Sequence, residues 1–323
     1  MRRVGGVRIM SGMSEPEEPS LPAKRTPKAK RPAGLMGMLA KAARSQLRRY
    51  PRHMIESFRA SVTVTVATTS EEPEPMHEPL SATWLGHATV LIRLAGVTIL
   101  TDPVFAQRIG MRIGKRVVGV ARTTAVPPMP VKPPDYILIS HAHFDHLDQP
   151  TLRSLVSEKT VVIVPKGVSR LIPRGFGRVI PLDWREQVQL DGLSFTALRP
   201  KHWGARTLWD RHRRYHGYLI ESGDRAVLFA GDTALTTAFD GLRADLAIFG
   251  IGAYDPWIHA HATPEQVWAM FGAMRASALL PIHHSTFPLG DEHPDEPLAR
   301  LLVAAGDEQW RIVGRQVGER WRA

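Results

Sequence analysis

The 323-residue chain contains no cysteine. That excludes disulfides, thiolate metal ligands and a cysteine nucleophile, so any metal must be held by His, Asp or Glu. No apolar run approaches the roughly 20 residues needed to cross a bilayer. Arg2-Arg3 is not followed by an apolar stretch long enough for a secretory signal. Together these absences fit a cytoplasmic protein. Acidic residues are scarce in one place only: residues 1–60 hold 14 Lys and Arg against four Glu, leaving 28 basic and 27 acidic groups in the remainder. The pI of about 10.3 therefore belongs to the N-terminal segment. No nucleic-acid partner is expected for the main domain.

What is present divides the chain in three. Residues 1–60 form a basic tail, largely disordered, with residues 1–33 rich in Pro, Lys, Arg, Glu and Ser, and Met13 stands as an alternative start. Within the tail, Leu35, Met38, Leu39, Ala42, Ala43 and Leu47 recur at helical spacing, with Lys41, Arg44, Arg48 and Arg49 between them. Three readings of this basic segment at 35–50 stand: a helix docked on the domain, a helix in peripheral contact with an anionic membrane at its inner face, or no stable helix. Residues 61–79 read as a linker in which Val62, Val64 and Val66 alternate as a short strand, and residues 80–323 as the domain. Strands are expected at Thr83–Leu85, Val90–Leu94, Val97–Thr101, Tyr136–Ser140, Val161–Val164 and Val179–Leu182. Five more follow at Leu193–Leu198, Tyr218–Glu221, Ala226–Ala230, Leu246–Phe249 and Leu279–Ile282. Helical patterns lie at Thr151–Ser157, Pro264–Arg275 and Glu296–Ala305, with Thr263 as an N-cap before Pro264. Such a mixture predicts a layered α/β sandwich.

The chemistry concentrates in Ser140-His141-Ala142-His143-Phe144-Asp145-His146-Leu147-Asp148, directly after an apolar strand. A tight turn there can aim His141 and His143 at one ion, and Asp145 and His146 at a second. Imidazole with carboxylate is the ligand mix that zinc prefers. Two ions need further ligands, and His202, Asp232 and His283 each follow an apolar run as strand-end residues should.

This order of motifs resembles the metallo-β-lactamase superfamily, and within it the N-acyl-phosphatidylethanolamine-hydrolysing phospholipase D group. The resemblance runs from about Thr83 to Arg300. It is carried by Trp84-Leu85-Gly86-His87, Thr101-Asp102-Pro103, Lys201-His202-Trp203, Gly231-Asp232-Thr233, Gly252-Ala253-Tyr254 and Ile282-His283. It implies an αββα four-layer sandwich and a dinuclear zinc hydrolase, with manganese or iron(II) open as occupants. His141, His143 and His202 would hold one ion, Asp145, His146 and His283 the other, and Asp232 would bridge them. A hydroxide between the ions is the implied nucleophile, with Asp145 sharing the catalytic work. The implied substrate is a phosphodiester such as an N-acyl phosphatidylethanolamine; lactones and other carboxylic esters or amides are the alternative. His261 matches a pocket histidine of the group, placed to protonate a leaving alkoxide or hold phosphate, with a satisfied loop histidine as the alternative; Tyr254 is expected at the substrate, with packing as the alternative.

Spacing alone does not separate His283 from His284; the resemblance favours His283. His87 and Asp102 read as structural residues or as supports behind the ligands. Arg206, Arg211, Arg213 and Arg214 are either a phosphate-binding loop or a solvated basic one. Trp203, Trp209 and Trp257 line an acyl channel or belong to the core. The segment Gly110–Val126 matches no motif and is expected to be a loop shaping the substrate entrance.

Overall fold

The computed structural model describes residues 2–4, 7–11 and 79–323, except 115, 131, 207–209 and 211. The basic helix expected at 35–50 and the strand at 62–66 lie outside the described residues, as do Trp209 and Arg211. In chain order the strands are β1 (Arg2–Val4), β2 (Val7–Ser11), β3 (Leu80–Trp84), β4 (Val90–Leu94), β5 (Val97–Thr101), β6 (Arg108–Ile113), β7 (Arg116–Ala121) and β8 (Tyr136–Leu138). They continue with β9 (Val161–Pro165), β10 (Arg178–Leu182), β11 (Glu186–Leu190), β12 (Leu193–Leu198), β13 (Gly217–Ser222), β14 (Arg225–Phe229), β15 (Arg243–Gly250), β16 (Arg275–Ile282) and β17 (Arg320–Arg322). The α-helices are α1 (Gln149–Ser154), α2 (Pro264–Ala273) and α3 (Glu296–Ala305).

One sheet has the order β1-β2-β11-β12-β13-β14-β15-β16, the other β10-β9-β8-β5-β4-β3-β17, and β6-β7 is a separate hairpin. Their packing follows from the period-2 burial of the strands. In β15, Leu246 and Ile248 face the second sheet, while Ala247 and Phe249 face α2 and α3 through Val267, Phe271 and Leu301. In β8, Tyr136 and Leu138 join the inter-sheet core, while Ile137 packs outward with Leu152 of α1. Three apolar layers thus separate helix, sheet, sheet and helix, the αββα sandwich. Thr263 caps α2 as expected, in a capping box with Gln266 ahead of Pro264.

Strand direction gathers the site. β5 runs parallel to β8, and β3 is two antiparallel steps from β5. β14, β15 and β16 are mutually parallel, and β12 is two antiparallel steps from β14. The seven C-terminal strand ends that precede His87, Asp102, His141, His202, Asp232, Gly252 and His283 therefore open on one edge of each sheet. The sheets meet there: the His283 N–H donates to His87 O at 3.0 Å and the His216 N–H to Ser140 O at 2.8 Å.

Two expectations change. Within residues 1–33, read as a disordered stretch, β1 and β2 pair as a hairpin and β2 adds antiparallel to β11; an edge strand with open backbone groups accepts such a partner despite the charged composition. The segment Gly110–Val126 is not a loop throughout but contains most of the β6-β7 hairpin, in which Gly110 and Gly119 face each other.

Candidate metal centre

Six of the seven expected ligands fall into two clusters around the seventh. His141, His143, His202 and Asp232 have ligand atoms within 4.8 Å of one another, and so do Asp145, His146 and His283 together with His87. Asp232 sits between them: its Oδ2 lies 3.1 Å from His146 Nε2 and 3.3 Å from His283 Nε2, and 3.8 and 3.7 Å from Nε2 of His141 and His202. Asp145 Oδ2 is 3.2 Å from His283 Nε2 and 3.3 Å from His146 Nε2.

The backbone is shaped for this convergence. His87, Asp102, Ala253, His283 and Ser285 all have positive φ between 32° and 61°. Non-glycine residues in that region cost roughly 1–3 kcal/mol each and collect where function holds them. Gly231 has φ 62°, and a Cβ there would stand 2.7 Å from His216 O. Only glycine lets the turn before Asp232 pass this close.

Supporting hydrogen bonds decide which ring nitrogen faces inward. His202 Nδ1 donates to Ala260 O at 3.0 Å, leaving Nε2 as the inward lone pair. His141 Nδ1 is 2.9 Å from Ser140 Oγ, and His146 Nδ1 is 2.7 Å from Asp102 Oδ2. Ser140 Oγ donates in turn to Asp102 Oδ2 at 2.5 Å. One buried carboxylate thus orients a ligand in each cluster. His87 Nε2 donates to Asp145 Oδ2 at 3.0 Å, so both residues read as supports stand one bond behind a ligand. Replacing Asp102 with Asn should weaken divalent-metal affinity by about 10–100-fold, measured by competition with a chromophoric chelator. Wild-type affinity in a folded Asp102→Asn protein would refute the orienting role.

Electrostatics matches a site for cations. Burial first, then crowding by other imidazoles, keeps His141 well below its ordinary value. Burial likewise holds His143 near about 4 and His202 near about 3. His146 and His283 go the other way. Burial opposes their charge, but Asp232 and Asp145 outweigh it, lifting His146 well above the ordinary value and His283 to about 9. Those histidines hold Asp145 and Asp232 well below the usual carboxylate range, against desolvation. Both Asp232 oxygens and His146 Nε2 are buried yet make no hydrogen bond of good geometry. Buried polar atoms left in this state, with lone pairs converging, are the condition a divalent ion satisfies.

The remaining candidates separate. His261 joins the centre, with Nδ1 3.8 Å from Asp232 Oδ2. His284 does not: it stacks on Trp84 at 4.7 Å and its Nδ1 meets Ser285 Oγ at 2.9 Å. Tyr254 takes the packing alternative: its hydroxyl donates to Glu296 Oε1 at 2.9 Å beside the Arg300 guanidinium, and it does not line the cavity over Asp145 and Asp232. The captured hydroxyl turns the ring toward α3. Nor do the described arginines form a phosphate loop: Arg213 pairs with Asp210 and Arg214 with Asp183. Arg206 points inward to backbone carbonyls. Trp203 and Trp257 do line the cavity, with Ile109, Gly110, Gly119 and Val120 of the β6-β7 hairpin opposite them.

Residues 97–284 match the family model described as Beta-lactamase superfamily domain. The chain belongs to the metallo-β-lactamase superfamily. It is 32% identical over 256 residues to an uncharacterised protein of Mycobacterium tuberculosis, covering 75% of this chain and 68% of the relative. It is 30% identical over 281 residues to N-acyl-phosphatidylethanolamine-hydrolyzing phospholipase D 1 of Caenorhabditis elegans, covering 76% of each. A solved metallo hydrolase, Igni18 of Ignicoccus hospitalis, has the same fold with a TM-score of 0.57 and 22% identity, over 75% of this chain and 97% of that one. The superfamily member described here is a metal-dependent hydrolase.

Proposed function

We propose that this superfamily member is a dinuclear zinc phosphodiesterase that hydrolyses an N-acyl phosphatidylethanolamine between phosphorus and the ethanolamine oxygen, the water oxygen going to phosphatidate and the proton to the departing N-acylethanolamine. The observation that carries the reading is the cavity of about 310 Å³ whose floor is Asp145, Asp232, His261 and His283 and whose walls are Ile109, Val120, Phe144, Trp203, Trp257 and Leu289. A polar floor under apolar walls suits a phosphate with acyl chains. Trp203, Met111 and Ile258, at or beside the wall, are 39%, 57% and 48% exposed, an apolar rim for a lipid to approach. The name of the Caenorhabditis elegans relative points the same way.

His141, His143 and His202 would hold one ion, Asp145, His146 and His283 the other, with Asp232 shared. Two such ions, when bound, supply an ionised water as nucleophile and neutralise charge developing on the electrophile. Asp145, ionised, accepts a hydrogen bond from His87 Nε2, which keeps the floor in place. Burial holds His261 near about 3, so it is neutral at pH 7 and serves as a hydrogen-bond donor to a substrate oxygen rather than as a stored proton. The apolar walls exclude water from the phosphoryl group.

The test is a panel of an N-acyl phosphatidylethanolamine, a soluble phosphodiester and a lactone, with and without chelator. Lipid turnover that disappears on chelation is expected. Robust lactone turnover with neither phosphodiester cleaved would overturn the substrate assignment. Within that panel, Val120→Trp fills the wall, and overpacking of about 1–3 kcal/mol should lower kcat/KM on the long-chain lipid roughly tenfold. The short phosphodiester should be spared; an equal loss on both would show that the hairpin does not meet the acyl chain.

A further inference from the structure

We propose that Arg206 is a positioning residue that holds the ligand loop His141–Leu147 in metal-binding register and ties it to the strand end bearing His202. The inference rests on the dinuclear reading above. One nitrogen, Arg206 Nη1, donates to Ala142 O at 2.9 Å and to Leu147 O at 2.8 Å. These two carbonyls bracket His143, Asp145 and His146, so one side chain staples both ends of the segment that supplies three ligands. Within the loop the backbone bonds fan from a single acceptor: His146 N and Leu147 N both donate to His143 O, at 3.2 and 2.9 Å. The loop is therefore closed mainly from outside. Ala142 and Leu147 are fully buried, and leaving their carbonyls without a donor costs about 1–3 kcal/mol each.

The guanidinium plane is held as well. Arg206 Cζ lies 3.9 Å from the centroid of the Phe144 ring, and Phe144 is part of the cavity wall. A planar delocalised cation can lie on the ring while its edge reaches both carbonyls, whereas an ammonium reaches carbonyls only as a point charge. Arg206 follows His202 by four residues, so the same short segment delivers one ligand and the clamp on the loop that serves both clusters. This explains a basic residue pointing inward from a segment whose charges would otherwise be expected at the surface.

Arg206→Met and Arg206→Lys are compared with wild type in the full chain, reading zinc affinity by chelator competition and the rise in Tm on zinc addition. In Arg206→Met, loss of the clamp should weaken the more weakly bound ion by about 10–100-fold, the usual cost of losing a support behind a ligand, and shrink the zinc-induced rise in Tm. Arg206→Lys should fall between the two. A purely structural role predicts something different: equal losses of Tm in the metal-free and zinc-loaded forms, with zinc affinity unchanged, and that result overturns the proposal. Should Arg206→Met not fold, Arg206→Lys carries the test, and wild-type affinity there overturns it. If wild type itself binds a single ion, the dinuclear reading fails separately, and the same comparison is made on that ion.

Discussion

Asp232→Ala is expected to fold, to hold fewer than two divalent ions and to lose hydrolysis almost completely. Asp232 lies between the two clusters, and its Oδ2 is within 3.1–3.8 Å of ring nitrogens from His141, His146, His202, His261 and His283. Removing one preorganised electrostatic group from an active site costs about 10²–10³ in rate, and loss of a group serving both ions should exceed that. The fold should survive because Asp145 still faces both His146 and His283 and Asp102 still faces His146, so neither imidazole is left as an unpaired buried cation. Elemental analysis and kcat/KM on the same preparation decide the matter. A folded variant with two ions and a tenth of wild-type activity would remove Asp232 from the bridging position.

Metal removal should have the second large effect, and pH should divide the two ions. A ligand present at 1,000 times its Kd stabilises a fold by about 4 kcal/mol, and a domain of this size shifts by about 2–4 °C per kcal/mol. Chelation should therefore lower Tm by about 10 °C or more. The sign of the pH effect follows from the ligands. His141, His143 and His202 lie below their ordinary value, so they are neutral at pH 7 and bind without releasing a proton. His283, near about 9, and His146, also raised, are protonated at pH 7 and must lose protons to bind. The affinity of the ion at Asp145, His146 and His283 should therefore rise about tenfold per pH unit for each proton displaced, until pH passes about 9. The other ion should bind nearly independently of pH above 6. Titration calorimetry at pH 6–9 in buffers of different ionisation enthalpy measures both, and equal slopes for the two ions would contradict the division.

The legibility of the site followed how local each signal was. His141, His143, Asp145 and His146 occupy one turn, so sequence proximity already implies spatial proximity. His202, Asp232 and His283 were readable because each ends an apolar run, and parallel strands bring such ends to one edge. Asp102 was less legible: its bonds to His146 and Ser140 cross 44 and 38 residues, and nothing in Thr101-Asp102-Pro103 declares their direction. Tyr254 stood open between substrate contact and packing, because Gly252-Ala253-Tyr254 lies beside the site in sequence. Glu296 and Arg300, 42 and 46 residues later, capture its ring. The β6-β7 hairpin escaped notice because Gly110 and Gly119 interrupt its alternation, although that facing pair is what lets its strands approach so closely.

Residue type and order determined the chemistry here. With no cysteine, a His and Asp ligand set placed at strand ends pointed to a metal-dependent hydrolase, because few other side chains can hold such ions. Direction was decided only by the tertiary structure. Whether an arginine meets a phosphate or a backbone carbonyl, whether a tyrosine faces a cavity or a helix, and which imidazole carries a proton all depend on neighbours dozens of residues away. Burial and Coulombic coupling act through space, and spacing along the chain does not encode them.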